Sequence, residues 1–129
     1  MDLVQGIGGV FFRAKDPRAQ ARWYRDNLGI PISPGDGEDT GEETRMWDQQ
    51  AGPTVWGPFP SDTEYFHNPA QQVMINFRVT DLDALLARLR AGGAPVRDEV
   101  EEYDYGRFAW ACDPEGNWFE LWEPTRPDA

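Results

Sequence analysis

GVFFRAKDPRAQARWYR, residues 9 to 25, decides how this chain reads, because MINFRVTDLDALLARLR, residues 74 to 90, repeats it without a gap. Phe12 aligns with Phe77, Arg13 with Arg78, Asp16 with Asp81, Ala19 with Ala84 and Arg25 with Arg90. Each copy runs from a strand pattern into a helix pattern. Val10, Phe12 and Ala14 alternate with Gly9, Phe11 and Arg13, the period of two that a strand needs. Asp16-Pro17 then opens a helix: the Asp carboxylate accepts first-turn N–H groups, and Pro at the first helical position gives up nothing. Leu28-Gly29 marks its end. In the second copy, Thr80, Leu82 and Asp83 suggest a capping box with Asp in place of Glu. Leu82, Leu85, Leu86 and Leu89 form the apolar stripe of that helix, and Gly92-Gly93 ends it.

Strand-like stretches follow each helix. After the first they are residues 44–49 and 53–59, beyond an acidic glycine-rich connection at 33–43. After the second they are residues 96–101, 107–113 and 117–123. The last two are joined by Asp113-Pro114-Glu115-Gly116, with Pro and Gly where a type I turn wants them. The order is β-α-β-β(-β), twice, which predicts an α+β domain with helices on one face of its sheets. A chain of 129 residues makes one domain, with a first module at about 5–62 and a second at about 70–124.

Composition excludes several function classes. Acids outnumber bases by 23 to 12, and the net charge of −11 repels nucleic acid and anionic membranes. One cysteine, Cys112, and one histidine, His67, rule out an intrachain disulfide and a Cys/His zinc cluster. No basic leader precedes an apolar run at the N-terminus, and no run approaches the ~20 apolar residues of a membrane span. A reducing cytoplasm is the expected location. A single histidine also leaves no Ser-His-Asp or Cys-His set to argue.

FFRAKDPRAQARWYRDNLGI resembles the opening of the vicinal oxygen chelate superfamily, which includes glyoxalase I, extradiol dioxygenases and bleomycin-resistance proteins. The family's ending, a D-P-[DE]-G-N turn followed by an E-L strand, is matched by Asp113, Pro114, Glu115, Gly116, Asn117, Glu120 and Leu121. The resemblance runs from about residue 7 to 124. It implies two βαβββ modules forming a glyoxalase/bleomycin-resistance-like curved sheet that encloses a cavity, completed in many members by a homodimer.

It also implies a metal role for the acid of the last strand, here Glu120, with His, Gln or Glu partners on other strands. The matching positions hold Gly9, Met74 and a residue at Trp56 or Gly57, none of them a hard-metal donor. The expectation is therefore a site with no metal ligands and no cofactor. Divalent-ion chemistry is disfavoured.

Strand alternation predicts what faces the cavity instead. Phe11, Met74, Asn76, Trp118, Glu120 and Trp122 share the face away from the helices, Trp56 adds a wall, and Tyr103 and Tyr105 stand on a lid beside Arg107. Rings, an amide, a thioether and one acid suit a flat or aromatic organic ligand, cationic ones included. Four readings follow: a metal-free binder of such a small molecule, a metal-dependent lyase, isomerase or dioxygenase of the glyoxalase type, a metal-free acid–base enzyme in which Glu120 is the catalytic residue, and a non-catalytic partner module.

Overall fold

A computed structural model describes residues 3–31 and 46–125. The acidic connection at 33–43 lies outside the described residues.

The first helix, α1, spans Pro17–Leu28. Its start is the one expected: Asp16 Oδ1 accepts the Ala19 N–H at 3.1 Å, and Pro17 opens the first turn. Gly29 closes it in the left-handed conformation, φ 71°. The second helix, α2, spans Leu82–Ala91. Here the cap is Asp81 rather than Thr80, with Asp81 Oδ1 accepting from Ala84 N at 3.0 Å. Asp83 closes no capping box, because its carboxylate is taken by Arg107 at 2.8 Å.

Among the described residues four strands make one sheet: β1 (Asn76–Arg78), β2 (Glu101–Tyr103), β3 (Gly106–Cys112) and β4 (Trp118–Pro124). The order is β1-β4-β3-β2, with β1 parallel to β4 and the other pairs antiparallel. The second module is thus a complete β-α-β-β-β unit. The hairpin between β3 and β4 is the expected turn. Gly116 N donates to Asp113 O at 3.1 Å, and Gly116 takes φ 87°, which a Cβ would penalise. The stretch expected as a strand from Val96 meets β3 only through a bridge from Val96 to Ala111 before the ladder begins at Glu101.

The first module departs from the sequence expectation. Among the described residues of 9–14, 46–49 and 53–59, none joins a ladder. A strand forms only against a partner edge. These stretches carry Gly9, Pro53 and Pro58, and a proline has no N–H to give a ladder. Val10, Phe11 and Phe12 are consequently half exposed or more. Among the described residues no helix is long and apolar enough to cross a membrane.

The core lies between the helices and one face of the sheet. Phe77, Ala109, Ala111, Phe119 and Leu121 on the strands meet Tyr24 of α1 and Leu82, Leu86 and Leu89 of α2. Phe119, Leu82, Leu89 and Leu121 are fully buried, and each contributes about 1.5–3 kcal/mol relative to exposure. Phe77, Phe119 and Leu121 are the residues that alternation assigns to the helix side. The even-numbered residues of β4 are therefore turned the other way, onto the face that matters for function.

Candidate functional site

The hairpin register fixes which side chains are neighbours on that second face. Across the sheet, Asn76 stands opposite Glu120, and Glu120 opposite Trp110. One step along, Arg78 stands opposite Trp122, Trp122 opposite Phe108, and Phe108 opposite Glu101. The first row is polar at its centre. The second is a pair of rings between a cation and an acid.

Glu120 is buried at 8% exposure, and among the described residues its hydrogen bonds include no cationic partner. It is held by donors instead. Asn76 Nδ2 donates to Oε1 at 2.7 Å, Trp110 Nε1 donates to Oε2 at 3.1 Å, and the Tyr65 hydroxyl donates to Oε2. Desolvation, then the bond to Glu120, pushes the Tyr65 hydroxyl well above the usual tyrosine range, so it stays protonated.

Tyr65 reaches this place from a segment outside the sheet. Its ring stacks on Phe59, centroids 5.2 Å apart, and meets Trp110 edge-on at 5.9 Å. His67 follows, 5.4 Å from Trp118 and 5.9 Å from Trp110. Arg97 Nη1 lies 2.5 Å from His67 Nδ1. A guanidinium can only donate, so Nδ1 accepts and the ring proton sits on Nε2. That Nε2 is buried and has no partner among the described residues. Burial, and secondarily the charge of Arg97, lowers the His67 pKa.

The second row is open. Phe108 and Trp122 are parallel, 4° apart with centroids at 5.9 Å, and Tyr103 and Tyr105 stack beside them at 5.3 Å. Trp122 Nε1 donates to the Tyr105 carbonyl at 3.0 Å. Pro53, Asp104, Tyr105, Trp122, Pro124 and Thr125 line an open depression of about 500 Å³. Arg78 is occupied structurally: its Nη1 and Nη2 donate to the carbonyls of Pro53 and Gln50, both at 2.9 Å.

A metal at the Glu120 position would need further hard donors around it. Among the described residues no three His, Cys, Asp or Glu side chains converge where an ion could sit. The groups nearest the carboxylate are N–H and O–H donors, whose hydrogens face it and would repel a cation.

The glyoxalase-like domain model matches residues 9–122. The chain belongs to that family. Among solved structures it is similar to TnmS3, an antibiotic-binding protein from Streptomyces sp. CB03234, at 21% identity and TM-score 0.63, covering 97% of this chain and 100% of that one. It is similar to a lactoylglutathione lyase from Agrobacterium tumefaciens at 21% identity and TM-score 0.57, covering 95% and 96%. A glyoxylase/bleomycin resistance protein/dioxygenase domain from Frankia sp. EAN1pec gives 17% identity and TM-score 0.58, covering 95% and 99%. At these identities the likeness establishes the glyoxalase fold. No curated protein sequence matches the chain.

Within this family member, the residues expected at the site divide. Asn76, Trp118, Glu120 and Trp122 share the face turned from the helices, and Tyr105 edges it. Met74 is half-buried just before β1. Phe11 and Trp56 stand in solvent at 96% and 84% exposure, away from Glu120. Arg107 is on the opposite face, where it pairs with Asp83 and, at 3.4 Å, with Glu123. Its place follows from register: it neighbours Phe108, so it points the other way. Trp110 and Tyr65 were not foreseen. The hairpin could have revealed Trp110, since a turn centred on Glu115 sets residue 110 opposite 120. Tyr65 carries no such signal, because its segment has no period.

Proposed function

We propose that this chain is a metal-free binder of a small, flat, donor-bearing or cationic aromatic molecule, seated on the face formed by Trp122, Phe108 and Glu120. The observation that carries this reading is the use of Glu120. The acid that would hold an ion is spent on Asn76, Trp110 and Tyr65. The neighbouring row offers half-buried ring area with Glu101 and Asp104 at its border. Rings attract flat molecules by stacking and cations through their quadrupoles. The net charge of −11 favours cations over anions. One fold relative is described as an antibiotic-binding protein, which is consistent with this class.

The binding unit in this reading is a homodimer. Val10, Phe11, Phe12, Val55 and Trp56 are largely exposed, and β1 is an edge of the sheet. A second copy could cover that apolar surface and give the first module's strand-like stretches an edge to pair with. Light scattering in solution tests it, and a monomer at micromolar concentration would refute it. A cytoplasmic location agrees with a single cysteine kept buried, its thiol pushed up to about 11 by desolvation and by Asp113.

Two measurements test the main reading. Metal analysis of protein purified without chelator should find no stoichiometric divalent ion. Tryptophan quenching by a protonated acridine should saturate and weaken about tenfold in Trp122→Ala. A stoichiometric ion lost in Glu120→Ala would instead restore a metal-dependent lyase, isomerase or dioxygenase. The direct contact of Tyr65 with Glu120 favours one second reading, acid–base chemistry between them. Full turnover of a found substrate in Glu120→Gln would dismiss it.

A further inference from the structure

Tyr65 presents to Glu120 what the proposed ligand would present: an aromatic ring with a hydrogen-bond donor. Three groups converge on that spot, Asn76 and Trp110 from the sheet and Tyr65 from outside it. The first two are fixed by the ladder. The third is not. Described residues 46–75 contain no helix or strand, and all of 46–62 are exposed. The segment is tied down on either side of Tyr65. Arg78 holds the carbonyls of Gln50 and Pro53. Downstream, Asn68 Nδ2 donates to Gly116 O at 3.2 Å, and Gln71 exchanges hydrogen bonds with the Trp118 backbone at 2.7 and 2.9 Å.

Between these ties the chain carries two costs. His67 adopts φ 66°, a left-handed conformation that a residue with a Cβ resists. Its Nε2 proton is buried without an acceptor among the described residues. Both costs lie within two residues of Tyr65, and both are relieved if the segment lifts from the sheet. The ties at Asn68 and Gln71 would then act as the hinge.

We propose that Tyr65 is a displaceable internal occupant of the binding face, and that the ligand's ring-bound hydroxyl or ammonium replaces it on Glu120 between Asn76 and Trp110. This rests on the binding reading above and adds to it the chemical class of the ligand's anchoring group. The distance between the Glu120 row and the Trp122 row is two residues along a strand, about 7 Å. A molecule of two or three fused rings spans it, stacking on Trp122 and Phe108 while its donor meets Glu120. The displaced segment also releases the His67 Nε2 proton, which is then available to an acceptor on the same molecule.

The probe is 4-methylphenol, the tyrosine side chain cut at its β-carbon, with toluene as control. Calorimetric titration of the intact protein, of Tyr65→Phe and of Tyr65→Phe with Glu120→Gln gives three affinities for each. Removing the competing hydroxyl should tighten 4-methylphenol about tenfold, and Tyr65→Phe should favour it over toluene by about tenfold. Adding Glu120→Gln, which exchanges the carboxylate for a weaker neutral acceptor, should reduce that preference severalfold. Equal affinity in the intact protein and Tyr65→Phe, or no preference over toluene, overturns the proposal. A second measurement needs no variant. His67 is the sole histidine, and its ring lies 6.2 Å from Tyr65. Saturating 4-methylphenol must therefore shift its imidazole resonances in the intact protein. If they stay fixed while acridine still quenches tryptophan, Tyr65 is a permanent wall, and the binding reading stands without this one.

Discussion

Asn76 and Glu120 sit opposite one another where β1 runs parallel to β4, and the Asn76 amide donates to the Glu120 carboxylate at 2.7 Å. The two come from the first and last strands of one module, 44 residues apart. Only the parallel pairing brings them together. A ligating residue in the place of Met74 or Asn76 would offer a lone pair at this point. An amide N–H offers a proton, and the carboxylate turns to accept it.

Glu120 should therefore behave as a structural acceptor as well as a binding group. Glu120→Ala leaves the buried indole N–H of Trp110 and the Asn76 amide unmet, and the expected loss is about 2–4 kcal/mol by urea denaturation. Glu120→Gln keeps one carbonyl oxygen for Trp110 and should cost about half as much. Equal stability of Glu120→Ala and the parent protein would mean that these bonds are not formed in solution.

Asp113 anchors the other half of the chain. Its carboxylate accepts from Gln20 Nε2 at 2.6 Å and Tyr24 hydroxyl at 2.7 Å on α1, and from Asn117 Nδ2 at 2.9 Å across the turn. It also accepts the backbone N–H groups of Glu115 and Asn117. Desolvation, then the bond to Asp113, raises the Tyr24 hydroxyl far above its usual range. Asp113→Ala should cost about 3 kcal/mol or more and loosen α1 from the hairpin. Hydrogen exchange should then rise across residues 17–28 more than in β3 or β4. Uniform acceleration over the whole sheet would show that the carboxylate supports the hairpin rather than the helix.

Much of this was legible in the sequence, and the gaps have physical reasons. Asp16, Asp81, Gly29 and the turn at 113–116 act locally, so their residue types announce them. The core face of β4 follows from alternation. The strands of the first module are not local. They depend on a partner edge, and the residue pattern cannot say whether one chain supplies it. Trp110 needed the register of the hairpin, and so did the side chain of Arg107, expected beside the lid tyrosines and found with Asp83 and Glu123. Tyr65 is placed by tertiary contact alone. Its neighbours Pro60, Asn68 and Pro69 read as turns, which hides a ring that closes over the sheet.

Gly106 tests whether the ring row is a designed surface. It adopts φ 143°, and a Cβ there would run into Trp122 Nε1 and the Glu123 carbonyl. Gly106→Ala should destabilise the protein by about 2–3 kcal/mol. It should also break the bond from Trp122 to the Tyr105 carbonyl, visible as a shifted tryptophan emission. Gly116→Ala, at φ 87° with open space around it, serves as the comparison: about 1 kcal/mol, with emission unchanged. An identical spectrum in Gly106→Ala would mean that Trp122 has another place to rest.

His67 gives the fold a dependence on pH that can be isolated. Burial, then the guanidinium of Arg97, holds its pKa below the ordinary 6.5, while the carboxylates of Glu99 and Glu120 pull the other way. The unfolded chain therefore binds the proton first. Stability due to neutral His67 is present above about pH 6.5 and is lost as pH falls from there through the folded value. The exposed carboxyls of Asp83 and Glu99 are held below their usual range by Arg107 and Arg97, so their contributions disappear only in more acid solution. Urea midpoints should fall as pH drops below about 6.5, and His67→Gln, whose side-chain oxygen can still accept from Arg97, should flatten that stretch of the curve. The single imidazole can be titrated directly by NMR. A folded pKa at or above 6.5 would mean that Arg97 does not face Nδ1, and the unpaired Nε2 proton would go with it.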